Sequence, residues 1–234
     1  LTTITHNGPS GVIEDLTYTY DAAGNRISQT RANGTASLLP TAVSSATYDT
    51  ANEQTQFAGA TLTYDQNGNL TGDGTNTYTW DARNRLVAIS GGTTASFSYD
   101  ALGRRVSKTV NGVATQYLYD RQNVTQELQS GTIVATYVRS LSIDEPFIRQ
   151  SGSNEYYHAD HMGSILALSN ATGSVMTSYN YEPFGKSTVT GMSSNIFQYA
   201  GRENDGTGLY HYRARYYSFG GHRFISEDPI KLDG

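Results

Sequence analysis

Three clusters in this 234-residue chain carry side chains able to do chemistry. His158, Asp160 and His161 set two imidazoles around a carboxylate, a grouping that can ligate a metal ion. Arg202, Arg213 and Arg215 stand near Tyr210, Tyr212, Tyr216 and Tyr217, so guanidinium and phenol faces could stack a base or a sugar ring. Asp228, with Arg223 and Phe224 ahead of it and Pro229 behind, could be one carboxylate of an acid–base pair.

Each cluster also has a structural reading, and that reading carries more weight. Residues three apart on a strand point to opposite faces, so His158 and His161 would need a distant third ligand, and no residue stands at a meaningful spacing. No metal and no cofactor is expected. The alternation YHYRARYY puts Tyr210 and Tyr212 on one face and Arg213 and Arg215 on the other, where cross-strand ion pairs and guanidinium stacking explain them without a ligand. A carbohydrate is the next partner such an aromatic face suits. Aspartyl hydrolysis needs two carboxylates sharing a proton; Asp144, Asp160 and Asp205 all qualify as the second, and spacing selects none. Asp228 is therefore read as a structural carboxylate and the chain as non-enzymatic.

The elements that must position these groups follow from composition and repetition. With 24 Gly and 18 Tyr beside abundant Thr and Ser, pleated strands and tight turns are favoured over helices. Net charge is −5 with no basic run, which argues against non-specific nucleic-acid binding. Cysteine is absent, so neither disulfides nor thiolate chemistry is available. Nothing reads as a signal peptide or as an apolar run long enough to span a bilayer, so no membrane insertion is expected. The start at Leu1 and stop at Gly234 suggest a piece of a longer or processed chain.

An aromatic-Asp pair recurs at Tyr20-Asp21, Tyr48-Asp49, Tyr64-Asp65, Trp80-Asp81, Tyr99-Asp100 and Tyr119-Asp120, with spacings of 28, 16, 16, 19 and 20 residues. Tyr18 and Tyr20, Leu62 and Tyr64, Tyr78 and Trp80, Phe97 and Tyr99, and Tyr117 and Tyr119 are two apart, so each pair is expected on one buried strand face. The Asp then accepts from backbone N–H groups ahead of it. Gly24, Gly68 and Gly103 provide positive φ, a geometry Asn25, Asn52, Asn69 and Asn84 also tolerate. One repeat is roughly one β-hairpin, and hairpins pairing side by side predict an all-β fold with a long, curling antiparallel sheet and little helix. Residues 28–46 fit the period poorly and read as an insertion, a longer loop or a degraded repeat.

These units resemble the YD repeats of the RHS family, and Tyr156 to Pro229 resembles the RHS repeat-associated core. The matching motifs are YYHADHMGS with His158, Asp160, His161 and Gly163; YEPFG with Pro183 and Gly185; and GREND with Gly201 and Arg202. TGLYHYRARYY with Arg213, Arg215, Tyr216 and Tyr217, and RFISEDPI with Arg223, Phe224, Asp228 and Pro229, complete the match. The resemblance implies YD-repeat hairpins over 1–150 and a core over 151–234, truncated before the second DP segment in which the family cleaves itself. It implies a secreted or cell-surface bacterial protein whose repeats spiral into a β-shell around a C-terminal toxin. Ser218-Phe219, His222 and the DPIKL of Asp228 to Leu232 depart from the family pattern.

Two alternatives stand beside this reading. One is the remnant of an aspartyl self-cleaving core. The other is a self-assembling tube or filament: the repeats are too few to close a chamber, and a strip with free strand edges would pair with the rest of a longer chain or with copies of itself.

Overall fold

The computed structural model describes residues 1–34, 40 and 42–230. The DPIKL segment beyond Ile230, Gly234 itself and part of the 28–46 stretch lie outside the described residues. Within them the chain is almost entirely β, its one helical element being the short 3₁₀ turn Tyr199–Gly201. Strands β1 (Thr3–Gly8), β2 (Gly11–Tyr20) and β3 (Arg26–Arg31) form a three-stranded sheet in that order. Ala46–Tyr48, Gln54–Phe57 and Ala60–Thr61 form a second. A 14-stranded sheet runs from Thr63–Tyr64 to Ser187–Gly191 with every strand beside its sequence neighbour, and a four-stranded sheet holds Leu209–Tyr212 and Arg215–Ser218. The pairings are antiparallel.

Two-residue periodicity explains the strands. Phe97 is buried while Ser96 and Ser98 are exposed, and Tyr117 is buried between exposed Gln116 and Leu118. Fully burying side chains of this size contributes roughly 1.5–3 kcal/mol each. The second aromatic of each pair departs from the expected buried face: Tyr20 is exposed, and Tyr64, Trp80, Tyr99 and Tyr119 are only half-buried. The register shifts immediately before Tyr20, Tyr48, Tyr64 and Tyr99, so a β-bulge turns each ring toward the strand end.

The chain divides into two compact units. One comprises Leu1–Pro40, Tyr119–Glu127 and Ile133–Glu203. Its core includes Leu16 and Tyr18 of β2 packed with Leu166, with Ile4 and Tyr181 against them. The other comprises Thr41–Leu118, Leu128–Thr132 and Asn204–Gly234. There Leu70, Tyr78, Leu86, Ile89 and Phe97 pack with Leu209, Tyr216 and Ile225.

Candidate functional site

Five of the aromatic-Asp pairs close the same turn. In each, one carboxylate oxygen accepts the N–H groups two and four residues on, at Asp21, Asp49, Asp65, Asp81 and Asp100, over 2.8–3.0 Å. The residue three on has positive φ: Gly24, Asn52, Gly68, Asn84 and Gly103. Asn25 and Asn69 stand one position later and have a different role. Their side-chain amides donate back to the second carboxylate oxygen, at 3.0 and 2.9 Å. Tyr119-Asp120 builds no such turn: Asp120 ends its strand, and Arg121 at φ 53 turns the chain within two residues.

The turn recurs where the sequence reading saw only core motif. Asp160 accepts from Met162 and Ser164, with Gly163 at φ 81; Asn170 accepts from Thr172 and Ser174, with Gly173 at φ 84. Glu182 with Gly185 and Gln198 with Gly201 share the backbone pattern. The signal was present in the glycine three residues after each acceptor.

The aromatic residue ahead of the turn ties one hairpin to the one before. Tyr64 donates to the Gln54 carbonyl at 3.1 Å, Trp80 to Leu70 at 2.7 Å, Tyr99 to Leu86 at 2.7 Å and Tyr181 to Ile165 at 2.7 Å. These carbonyls begin the return strands where the bulges interrupt the ladder, so the rings replace lost strand bonds. Arg139 does the same at Val124, over 2.9 Å.

Burial works against the ionised Asp81 carboxyl, but the Arg85 guanidinium and the turn amides outweigh it and hold the group below the usual carboxylate range. Replacing Asp81 with Ala is expected to cost about 2 kcal/mol in urea denaturation, because two amides and Arg85 lose their acceptor. Asp120→Ala, at an exposed position without that turn, is expected to stay within about 0.5 kcal/mol.

The core motif contributes a buried ion cluster. Asp205 and Arg105 are fully buried and paired, and Lys108 reaches the other Asp205 oxygen at 3.0 Å. Tyr216 lies 3.3 Å from the Arg105 guanidinium and 2.9 Å from the Tyr99 hydroxyl. Burial alone would raise the Asp205 carboxyl; Arg105 and Lys108 bring it below its ordinary range. The YHYRARYY run is not one strand: it turns at Arg213, φ 58, so Tyr212 faces Arg215 across the hairpin and the expected arginine face does not form. Arg215 instead bridges Asp228 at 2.6 Å and covers the Phe224 ring at 3.8 Å. Tyr217 packs edge-on to Phe224, and Arg223 donates to the Asn52 carbonyl at 3.1 Å.

The three candidate partners of Asp228 are engaged elsewhere. Asp160 closes a turn, Asp205 holds Arg105, and Asp144 pairs with Arg202 at 2.8 Å. Gly201, at φ 67, is packed against the Asp144 carbonyl, and Pro183 accepts from Tyr199 at 2.9 Å.

His158 is buried, with its Nε2 at 2.8 Å from Ser169 Oγ and its ring edge-on to His6, whose own Nε2 lies 2.8 Å from the Ala159 carbonyl. His161 points elsewhere, 3.3 Å from the Tyr18 hydroxyl. Burial, reinforced by His6, pushes His158 down from 6.5 to about 4. A histidine with a depressed folded pKa destabilises the fold as pH falls through the unfolded value. The loss therefore begins near pH 6.5 and is complete below about 4. A shift of this size corresponds to roughly 3 kcal/mol. His158→Gln is expected to be less stable than the parent at pH 7.5 but to lose less on acidification, as denaturant midpoints at pH 7.5 and 4.5 will show.

The comparisons with known proteins agree with this geometry. A family model described as Teneurin YD-shell matches residues 2–229. The tRNA nuclease WapA of Bacillus subtilis (strain 168) is 34% identical over 226 residues, covering 92% of this chain and 10% of that protein. Double-stranded DNA deaminase toxin A of Burkholderia cenocepacia (strain H111) is 24% identical over 267 residues, covering 93% of this chain and 18% of that protein. Among solved structures, TcdB2-TccC3 without its hypervariable C-terminal region superposes with a TM-score of 0.67 at 19% identity, over 100% of this chain and 17% of the other. The chain thus spans about a tenth of the length of the WapA relatives, 10% of each of the first two.

Proposed function

Because the chain belongs to the Teneurin YD-shell family, we propose that it is a non-enzymatic section of shell wall in a longer, secreted or surface-displayed polymorphic toxin. The wall encloses or presents a C-terminal toxin segment. One observation carries the reading: strands Thr63–Tyr64 to Ser187–Gly191 follow one another in sequence order, stitched by repeated turns and aromatic rungs. A ribbon of this kind extends by adding hairpins, each covering its neighbour's edge.

The named relatives support the division of labour. One is named a tRNA nuclease and another a DNA deaminase, yet each matches more than nine tenths of this chain. One shared region is a poor vehicle for two unrelated chemistries, so the chemistry belongs to the unshared remainder of those proteins. The purified chain is expected to leave tRNA and double-stranded DNA unaltered at micromolar concentration. Cleavage or deamination that survives repurification would overturn the reading.

A second reading, self-association through a strand edge, draws on Ser187–Gly191. This last strand of the large sheet is uncharged, and its Thr188, Val189 and Thr190 are exposed. Sedimentation velocity over a hundredfold dilution series decides it, a constant monomer being the losing outcome.

A further inference from the structure

Three of the chain's five histidines gather where the β1–β3 sheet meets the strands Ser153–Ala159 and Ile165–Ser169. Side-chain contacts seat the sheet there. His6 of β1 donates from Nε2 to the Ala159 carbonyl at 2.8 Å, and its ring meets the buried His158 ring edge-on at 5.0 Å. His161 lies with Nε2 3.4 Å from the Arg26 guanidinium of β3 and Nδ1 3.3 Å from the Tyr18 hydroxyl of β2. A guanidinium only donates, so His161 Nε2 presents its lone pair to Arg26. Leu16, Tyr18 and Leu166 form the apolar part of the same seam.

Acid reverses the sign of these contacts. A proton on His161 Nε2 removes the acceptor that Arg26 uses and sets two cations 3.4 Å apart. A proton on His158 places a charge in a buried site against the His6 ring. The surrounding charges do little to compensate. Glu14, the cross-strand neighbour of His6, is held by Arg31 at 2.6 Å, and Glu155, on the strand of His158, by Arg149 at 2.6 Å. Asp160 accepts the Met162 and Ser164 amides and offsets one positive charge beside His161, whereas burial and His6 are what act on His158. Tyr18 and Tyr181 stay neutral throughout the acid range.

We propose that this seam is an acid-opened latch: protonation of His158 and His161, against His6 and Arg26, releases the β1–β3 sheet from the strands beneath it while the rest of the chain stays folded. Among the described residues the β1–β3 sheet and the 14-stranded sheet are separate, so release breaks no ladder of the large sheet. It uncovers Leu16, Tyr18 and Leu166. The latch belongs to this chain and does not depend on the shell reading.

Hydrogen–deuterium exchange of the whole chain at pH 7.5, 5.5 and 4.5, corrected for the intrinsic pH dependence of amide exchange, reads the opening. Once released, the three-stranded sheet has no cover for its apolar face, so its amides exchange. With His158 titrating at about 4 when the seam is closed and at the ordinary 6.5 when it is open, falling pH favours the open form. Relative to pH 7.5, the open fraction is expected to rise about tenfold at pH 5.5 and about seventyfold at pH 4.5. The rise is expected in Thr3–Gly8, Gly11–Tyr20 and Arg26–Arg31 and not in Ala95–Tyr99. His158→Gln is expected to hold it below about threefold. His222→Gln, which alters a histidine packed against Phe57 in the other unit, is expected to keep the parent's rise. Exchange in β1–β3 that rises no more than in Ala95–Tyr99, or a rise in His158→Gln equal to the parent's, overturns the proposal.

Discussion

Asp205→Asn is expected to lower stability by about 3–5 kcal/mol, because it leaves Arg105 and Lys108 buried around a neutral side chain. Arg105 has no route to water at 0% exposure, and the Phe97, Tyr117 and Tyr216 rings close around its guanidinium. The carboxylate also joins two separated stretches of sequence, the strand Arg105–Val110 and the GREND motif. Guanidinium denaturation should show a lower midpoint with little change in slope. A triple replacement, Asp205→Leu with Arg105→Leu and Lys108→Met, should regain much of the loss, since apolar substitutes for buried ion networks are often neutral. A loss below about 1 kcal/mol for Asp205→Asn would place the cluster in water rather than in the core.

Gly91→Ala is expected to be nearly as damaging, at about 3 kcal/mol or more. Gly91 has φ +114, and an added Cβ would stand 2.3 Å from the Thr75 carbonyl oxygen. That oxygen accepts from Gly92 N–H, so moving it away breaks the bond that seats one hairpin on the last. Gly191 repeats the arrangement, with φ +121 and an added Cβ 2.4 Å from the Met176 carbonyl oxygen. Gly112 is the control: φ is +85 and space is open, so Gly112→Ala should cost only about 1–2 kcal/mol of backbone strain. Equal losses at Gly91 and Gly112 would mean that backbone conformation alone sets the cost.

Much of this architecture was legible because its determinants are local. Aromatic alternation, the Asp that folds onto the next amides and the glycine three residues later all act within one hairpin. The bulge before Tyr99 was not, because the partner its hydroxyl finds is a carbonyl on the preceding hairpin. Asp160 and Asn170 were missed as turn residues because Ala159 and Ser169 precede them where the repeats have an aromatic. The Asp205–Arg105 pair spans 100 residues and leaves no trace in spacing. Arg213 and Arg215 were placed on one face by strand periodicity, which a two-residue turn within the run cancels.

The central claim is that this chain is wall and not warhead. Limited proteolysis of the longer natural protein tests it most directly, with the C-terminal segment followed by its own antibody. If the chain is shell wall, that segment resists protease while the wall is folded and becomes cleavable at concentrations of denaturant that unfold the Asp205→Asn wall but not the parent. A segment cut equally fast in both, and as fast as the isolated segment, would contradict the account.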